Sequence, residues 1–245
     1  MFTDTHCHLF KEYYDDINMI VNNAVNNNVN RLIVSGCSHS ENIEVLELKY
    51  PNVYKVIGLH PDQASVYEDS QIDFIKENID KIIGIGEIGL DYYYGKEDID
   101  KQKELFRKQL KLAQDLGLPV VIHSREATLD TINILKEYNV NGVIHSFSGS
   151  KETALEYIKM GFILGINGVV TFKNCNLIEV LKEIGVDKIV LETDSPYLTP
   201  VPYRGEVNEP KHIIDIANFI CENVNISLND LAEITNKNIK SLFDI

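Results

Sequence analysis

The feature that most constrains the fold is an alternation of short apolar strands with amphipathic helical stretches. Eight segments have strand character. Their starts run from about residue 2 to about residue 188, so they recur on the order of every 27 residues, which is the length of one βα unit. Near-continuous apolar strands of this kind are buried on both faces, as in a parallel sheet. Eight such units in 245 residues predict an α/β fold of the (β/α)8 TIM-barrel class.

The predicted elements leave no linker and no internal repeat that would divide the chain. We therefore expect one domain over residues 1–245. Two further helices are predicted after the eighth strand, near residues 211–221 and 228–243. Ser227 and Asp230 form a capping-box pattern at the start of the second of these helices. The sequence thus predicts a barrel with extra C-terminal helices.

Composition narrows the class of protein. The formal net charge of −14 argues against a broad basic surface for nucleic acid, but a nucleic-acid substrate bound locally by metal ions and a few basic groups is compatible with it. No apolar run reaches transmembrane length and no secretory signal is evident, so a cytoplasmic protein without membrane association is expected. The four cysteines lie far apart and predict neither a disulfide framework nor a thiolate zinc site.

Polar side chains recur at the ends of the predicted strands. His6 and His8 are two residues apart on the first strand, so their side chains project from the same face. Other polar residues lie at or just past the ends of later strands, namely His60, Glu87, His123, His145 and Asp194. Active sites of parallel barrels form where these C-terminal ends meet. Taken singly, each of these histidines is better explained by an ordinary core or surface role than by metal binding, but random placement does not explain why all of them lie at strand ends.

Histidine and carboxylate ligands together suit borderline divalent cations such as Zn²⁺, Mn²⁺ or Ni²⁺. One open catalytic ion needs about three protein ligands, which is fewer than these strand ends supply. The residue set therefore favours two ions with a water or hydroxide between them. Such a site activates water and neutralises an anionic leaving oxygen.

Motifs along the whole chain resemble those of the TatD family of metal-dependent deoxyribonucleases, which belongs to the amidohydrolase-like barrels. They occur in the family's order. The matching segments are DTHCH at 4–8, GLHP at 58–61, GEIGLDY at 86–92, IHSR at 122–125, HSFSG at 145–149, ETDSPYL at 192–198 and PYRGEVNEP at 202–210.

The resemblance implies a role for each candidate site residue. One metal ion would be bound by His6, His8, Glu87 and Asp194. A second ion would be bound by Glu87, His123 and His145, with Glu87 bridging the two. Asp194 would also orient or deprotonate the attacking water. Phosphate or substrate contacts are implied for His60, Arg125 and Arg204.

One segment departs from the family pattern. Many relatives have two basic residues where this chain has Glu206 and Val207, which reduces the positive charge offered to a long polyanion. An arginine such as Arg204 also suits a second role, bracing a loop through backbone carbonyls. The tyrosines at positions 92–94 suit either base stacking or packing of a loop onto the barrel rim.

The sequence favours a hydrolase that cleaves phosphodiester bonds of DNA with two divalent ions (Zn, Mn, Mg or Ni). It is expected to act as an exonuclease at 3′ ends or on single-stranded stretches, without an obligate protein partner. The alternative is a hydrolase of small-molecule esters, amides or phosphoesters on the same metal pair, because one barrel hosts many chemistries. The net charge and residues 206–207 favour the alternative, whereas Arg125 and Arg204 favour DNA. A metal-binding scaffold without catalysis is disfavoured by the full ligand set.

Overall fold

The computed structural model describes residues 1–94 and 96–245, and within them the chain forms eight strands. The strands are β1 Phe2–Cys7, β2 Val29–Ser35, β3 Val53–Ile57, β4 Gly84–Asp91, β5 Val120–Arg125, β6 Gly142–Ile144, β7 Ile163–Ile166 and β8 Ile189–Leu191. Their order is β1-β2-β3-β4-β5-β6-β7-β8, which is the chain order.

Helices alternate with the strands. They are α1 Ile17–Asn26, α2 His39–Glu47, α3 Asp69–Glu77, α4 Ile99–Leu116, α5 Thr128–Leu135, α6 Lys151–Lys159, α7 Leu177–Ile184, α8 Ile213–Val224 and α9 Leu228–Phe243. Parallel strands in chain order with intervening helices confirm the predicted (β/α)8 TIM-barrel class, and α8 and α9 are the predicted C-terminal helices. Ser227 caps α9 by accepting a hydrogen bond from the Asp230 amide at 3.1 Å.

Two compact units make up the chain. The first contains residues 1–34, 50–53 and 146–245, and the second contains residues 35–49 and 54–145. The first unit carries β1, β7 and β8, and the second carries β4, β5 and β6. That residues 1–245 act as one domain stays a prediction.

No helix within the two described segments of the chain is both long and apolar enough to cross a membrane.

Strand β4 of the second unit ends later in the chain than the sequence predicts. It was expected to end at Glu87 but continues to Asp91, because its parallel pairing with β5 continues through Gly89 opposite His123. Gly89 has a φ of +148°, and a Cβ there would overlap the His123 carbonyl oxygen, so only glycine permits this close approach. The extra residues place Asp91 at the C-terminal end of the strand.

Buried side-chain amides pair with the backbone just past β3. The Gly58 N–H donates to Asn42 Oδ1 at 3.2 Å, and Asn42 Nδ2 donates to the Gly58 carbonyl at 2.8 Å. Gln109 on α4 makes the same two-way pairing with Leu59, at 2.8 and 2.9 Å. Both amide side chains belong to fully buried residues. They satisfy backbone groups that would otherwise be buried without partners, and they fix the segment that leads to His60.

The Gln109 pairing predicts a large loss of stability in the variant Gln109→Leu. This change leaves the buried N–H and C=O groups of Leu59 without partners, at about 1–3 kcal/mol each, so the free energy of unfolding should fall by about 2–6 kcal/mol. Urea unfolding followed by circular dichroism measures this change. The matched control is Gln114→Leu on the exposed side of the same helix, where the side-chain carbonyl accepts from the Asn139 N–H. Its effect should stay within about 0.5–1 kcal/mol, and an equal loss in both variants would contradict the prediction.

Candidate functional site

In the first unit, the segment that follows β8 lies alongside the end of β1. The Asp194 N–H donates to the His6 carbonyl at 2.9 Å, and the His8 N–H donates to the Ser195 carbonyl at 2.8 Å. Asp194 has a φ of +57°, a left-handed conformation that aspartate and asparagine adopt more readily than most residues. This backbone arrangement places the Asp194 carboxylate beside the two imidazoles.

His6, His8 and Asp194 form a compact ligand set. The Nε2 atoms of His6 and His8 are 3.2 Å apart, and Asp194 Oδ1 lies 3.7 Å from the first and 3.5 Å from the second. Both histidines are buried, and the Asp194 side chain retains some exposure. Two imidazole nitrogens and one carboxylate oxygen at this separation suit a borderline divalent cation, so these residues fit the predicted metal.

Asp4 forms hydrogen bonds with the backbone that carries this ligand set. It is fully buried, and its carboxylate accepts hydrogen bonds from the Thr193 N–H at 2.9 Å, the Thr193 hydroxyl at 2.5 Å and the His6 N–H at 3.2 Å. Burial raises the pKa of Asp4 to about 8, although the hydrogen bonds from Thr193 and His6 oppose the shift. Asn208 adds hydrogen bonds from Nδ2 to the carbonyls of Thr193 and Tyr197 at 2.9 and 2.6 Å. The backbone on both sides of Asp194 is therefore fixed.

The second unit contains another ligand set, centred on Glu87 of β4. Glu87 is buried, and its Oε1 lies 2.7 Å from His123 Nδ1 and 3.8 Å from His145 Nε2. Ligand atoms of these three residues all lie within 4.8 Å of one another. They likewise fit a divalent cation, because the donors are imidazole nitrogens and a carboxylate oxygen.

His123 is engaged through both ring nitrogens. Its Nδ1 faces Glu87, and its Nε2 lies 3.0 Å from Asp91 Oδ2. Burial lowers the pKa of His123, but the hydrogen bonds to Asp91 and Glu87 outweigh it and raise the pKa to about 9. For Asp91, burial raises the pKa, but the hydrogen bonds from His123 and from the Tyr93 and Tyr94 amides lower it to about 2. The hydrogen bond between Asp91 and His123 thus favours the charged form of each residue.

Two residues beside Glu87 were not among the predicted site residues. Asp91 lies four positions after Glu87 on β4, so the strand period of two could have placed both side chains on one face had the strand end been known. The Cys37 thiol donates to Glu87 Oε2 at 3.4 Å, and burial together with Glu87 raises the pKa of this thiol well above its usual range. Nothing in the local sequence around Cys37 indicates this contact.

His60 lies beside the second ligand set. Its ring packs edge-on against His123 with the centroids 4.5 Å apart, and its Nδ1 is 3.1 Å from Asp62 Oδ1. Its Nε2 is 3.9 Å from Glu87 Oε1. A substrate role is compatible with this half-buried position next to the candidate metal ligands.

The two predicted phosphate-binding arginines both lie over aromatic rings. The Arg125 guanidinium is 4.0 Å from the Tyr93 ring centroid and 4.9 Å from that of Tyr94. In the first unit, the Arg204 guanidinium is 4.0 Å from the Phe172 ring centroid and donates to the Thr199 carbonyl at 3.2 Å. These are the contacts expected of a loop-bracing arginine, and a phosphate-binding role for Arg204 stays a prediction.

Comparison with known proteins gives the family. The family model described as TatD related DNase matches residues 3–244. The chain is 41% identical to the metal-dependent hydrolase YabD of Bacillus subtilis, with 100% of both chains covered. It is 36% identical to the metal-dependent hydrolase BU355 of Buchnera aphidicola, over 99% of this chain and 98% of that one.

A solved structure agrees with these sequence matches. The crystal structure of YjjV, a TatD homologue from Escherichia coli, superposes with a TM-score of 0.94 at 27% identity, covering 100% of this chain and 98% of that one. The family resemblance inferred from the motifs is thereby confirmed. The match extends from the first strand to the last helix, and the chain belongs to the TatD family as an enzyme of the metal-dependent hydrolase class.

Proposed function

We propose that this enzyme hydrolyses phosphodiester bonds of DNA from a strand end and uses two divalent ions. The observation that carries the proposal is the presence of two largely buried ligand sets, one in each unit. The first set is His6, His8 and Asp194, and the second is Glu87, His123 and His145. Each supplies the three protein ligands of an open catalytic ion. The bridging role of Glu87 and the identity of the metal stay predictions.

When bound, the ions would activate water and neutralise the charge on the leaving oxygen. The chain's own residues supply the remaining chemistry. Asp194 is the proposed general base, because its side chain retains access to solvent while its backbone is fixed by Thr193 and Asn208. His60 is half-buried beside the second ligand set, where it would donate a hydrogen bond to a substrate phosphate.

Several observations bear on the substrate. The matching family model carries the description DNase, which supports DNA. Next to β4, the rings of Tyr93 and Tyr94 are 50% and 77% exposed, and Arg125 lies over both, so this surface suits an unpaired base. A net charge of −14 leaves little electrostatic attraction for a long duplex. Action at 3′ ends or on single strands needs contact with only a few nucleotides.

The second candidate function is hydrolysis of a small-molecule ester, amide or phosphoester. The contacts of Arg204 with Phe172 and Thr199, and the exposed Val207 in place of a basic residue, favour it. Either function requires the same ligand sets.

We further propose that residues 1–245 act as one hydrolase domain, and a cytoplasmic location stays a prediction.

Metal binding should stabilise the folded enzyme measurably. An ion present at 100 times its dissociation constant adds about 2.7 kcal/mol to the free energy of unfolding, so exhaustive chelation should lower the melting temperature and abolish hydrolysis. Glu87→Gln should reduce the gain in melting temperature on adding Zn²⁺ or Mn²⁺. The control Glu137→Gln, which alters only an exposed ion pair with Arg107, should keep the full gain. Full activity after exhaustive chelation would contradict the metal mechanism.

Asp194→Asn should lower turnover by about 10²-fold or more, the usual scale for loss of a general base. Asparagine tolerates the left-handed backbone at this position, so the protein should remain folded. Turnover and metal content are measured on the same preparation. Asp187→Asn, in the exposed turn before β8, is the control and should be fully active. Normal turnover of Asp194→Asn with full metal content would show that Asp194 is not the base.

The end-dependent reading predicts a specific substrate preference. A short single-stranded oligonucleotide with a free 3′ end should be degraded, whereas the same oligonucleotide with a blocked 3′ end and a closed circular duplex should resist. The salt dependence of binding should also be shallow, because its slope follows the number of phosphates contacted. Equal cleavage of the circle would exclude an exonuclease. Inactivity on all three substrates with turnover of a small ester or amide would favour the second function.

A further inference from the structure

We propose that Asp91 is a positioning residue that sets the orientation and tautomer of His123 so that the Nδ1 atom of His123 is available to a divalent cation. The inference rests on the proposed metal-binding role of Glu87, His123 and His145 and extends it to a residue outside that set. It concerns only contacts within the second unit.

The two ring nitrogens of His123 face different partners. Nδ1 lies 2.7 Å from Glu87 Oε1, on the side of the candidate metal ligands, and Nε2 lies 3.0 Å from Asp91 Oδ2. A ring nitrogen that binds a cation must be deprotonated, so in a neutral imidazole the proton is on the other nitrogen. A carboxylate at Nε2 stabilises a proton there. This pattern of carboxylate, histidine and metal fixes the ring and raises the basicity of the ligating nitrogen.

The Asp91 carboxylate is itself held in place. Its Oδ1 accepts hydrogen bonds from the Tyr93 N–H at 2.9 Å and the Tyr94 N–H at 3.1 Å, which leaves Oδ2 directed at His123. Gln102 on α4 pairs with the backbone of Asp91 in both directions, at 2.9 Å each. Both Asp91 and Gln102 are buried, so water does not readily replace these contacts. The carboxylate has a defined position before any cation binds.

A different role for Asp91 is chemically conceivable. Ligand atoms of His60, Asp91 and His123 also lie within 4.8 Å of one another, and a cation bound there would make Asp91 a direct ligand. The observed geometry favours positioning, because Nε2 and Oδ2 are at hydrogen-bond distance and Oδ1 is used by the Tyr93 and Tyr94 amides. The number of ions bound distinguishes the two roles.

The test is the variant Asp91→Asn in the full-length protein, with Zn²⁺ as the probe. The asparagine carbonyl oxygen can still accept from the Tyr93 and Tyr94 amides, so the turn should be kept. Its NH₂ group would donate towards His123 Nε2, which favours the tautomer with the proton on Nδ1. Competition with a chromophoric chelator should show one ion bound about 10- to 100-fold more weakly, with the saturated zinc content unchanged.

The matched control is Asp98→Asn. Asp91 and Asp98 line the same cavity of about 270 Å³, and the Asp98 carboxylate pairs with Lys101 at 3.0 Å. The control also removes one negative charge from this cavity, but Asp98 pairs with Lys101 and not with His123, so the zinc affinity should equal that of the original protein. An equal loss in both variants would assign the effect to general electrostatics and overturn the positioning role. Unchanged affinity in Asp91→Asn, or a saturated zinc content lower by one ion, would also overturn it.

A second measurement needs no variant at position 91. In the zinc-loaded original protein, nitrogen-15 spectra of the histidine rings should show His123 with Nε2 protonated and Nδ1 bound to metal. The opposite assignment would overturn the proposal even if Asp91→Asn failed to fold. The readouts for the role of Asp91 are zinc affinity and the His123 tautomer. If the protein binds zinc but does not cleave DNA, that result would therefore contradict only the proposed DNA substrate. Absence of zinc binding by the original protein would overturn both the metal mechanism and the role of Asp91.

Discussion

Backbone groups buried just past the ends of strands need hydrogen-bond partners, and the way this chain supplies them determines where its site residues lie. In the second unit, the partners are side-chain amides: Asn42 pairs with Gly58, Gln109 with Leu59 and Gln102 with Asp91, each in both directions. Each amide supplies one backbone residue with both a hydrogen-bond donor and an acceptor. The polar residues of the site are therefore attached to fixed backbone, which reduces the cost of ordering them when a ligand binds.

The first unit meets the same requirement with a buried carboxylate. Asp4 accepts three hydrogen bonds from Thr193 and His6, and Asn208 donates to carbonyls on either side of Asp194. Burying Asp4 is costly for its charged form, which raises its pKa to about 8. The left-handed conformation of Asp194 is also costly, and it persists because the surrounding hydrogen bonds specify it. These two unfavourable features, the buried Asp4 carboxylate and the left-handed Asp194 backbone, both occur at the residues that position the first candidate ligand set.

The distribution of charge is consistent with the proposed function, in which bound cations would interact with an anionic substrate. Acidic residues exceed basic ones by 14, and the two arginines considered as phosphate contacts, Arg125 and Arg204, lie over aromatic rings. Carboxylates dominate near the second ligand set, where Glu87, Asp91 and Asp62 each lie beside a histidine. A cation bound among them would relieve their mutual repulsion. An anionic substrate would then meet positive charge at the proposed site of hydrolysis.

The sequence by itself determined the fold class, the family and the types of side chain at the strand ends, because apolar periodicity and the motifs are local signals. It did not determine the true end of β4, since strand length depends on pairing with β5 rather than on local propensity. Asp91 was missed for that reason, and Cys37 was missed because its partner Glu87 lies 50 residues away along the chain. The hydrogen bonds between Asp4 and Thr193 likewise join residues 189 positions apart. The candidate ligand residues can be named from the sequence, whereas the hydrogen bonds that orient them form only once distant segments have packed together.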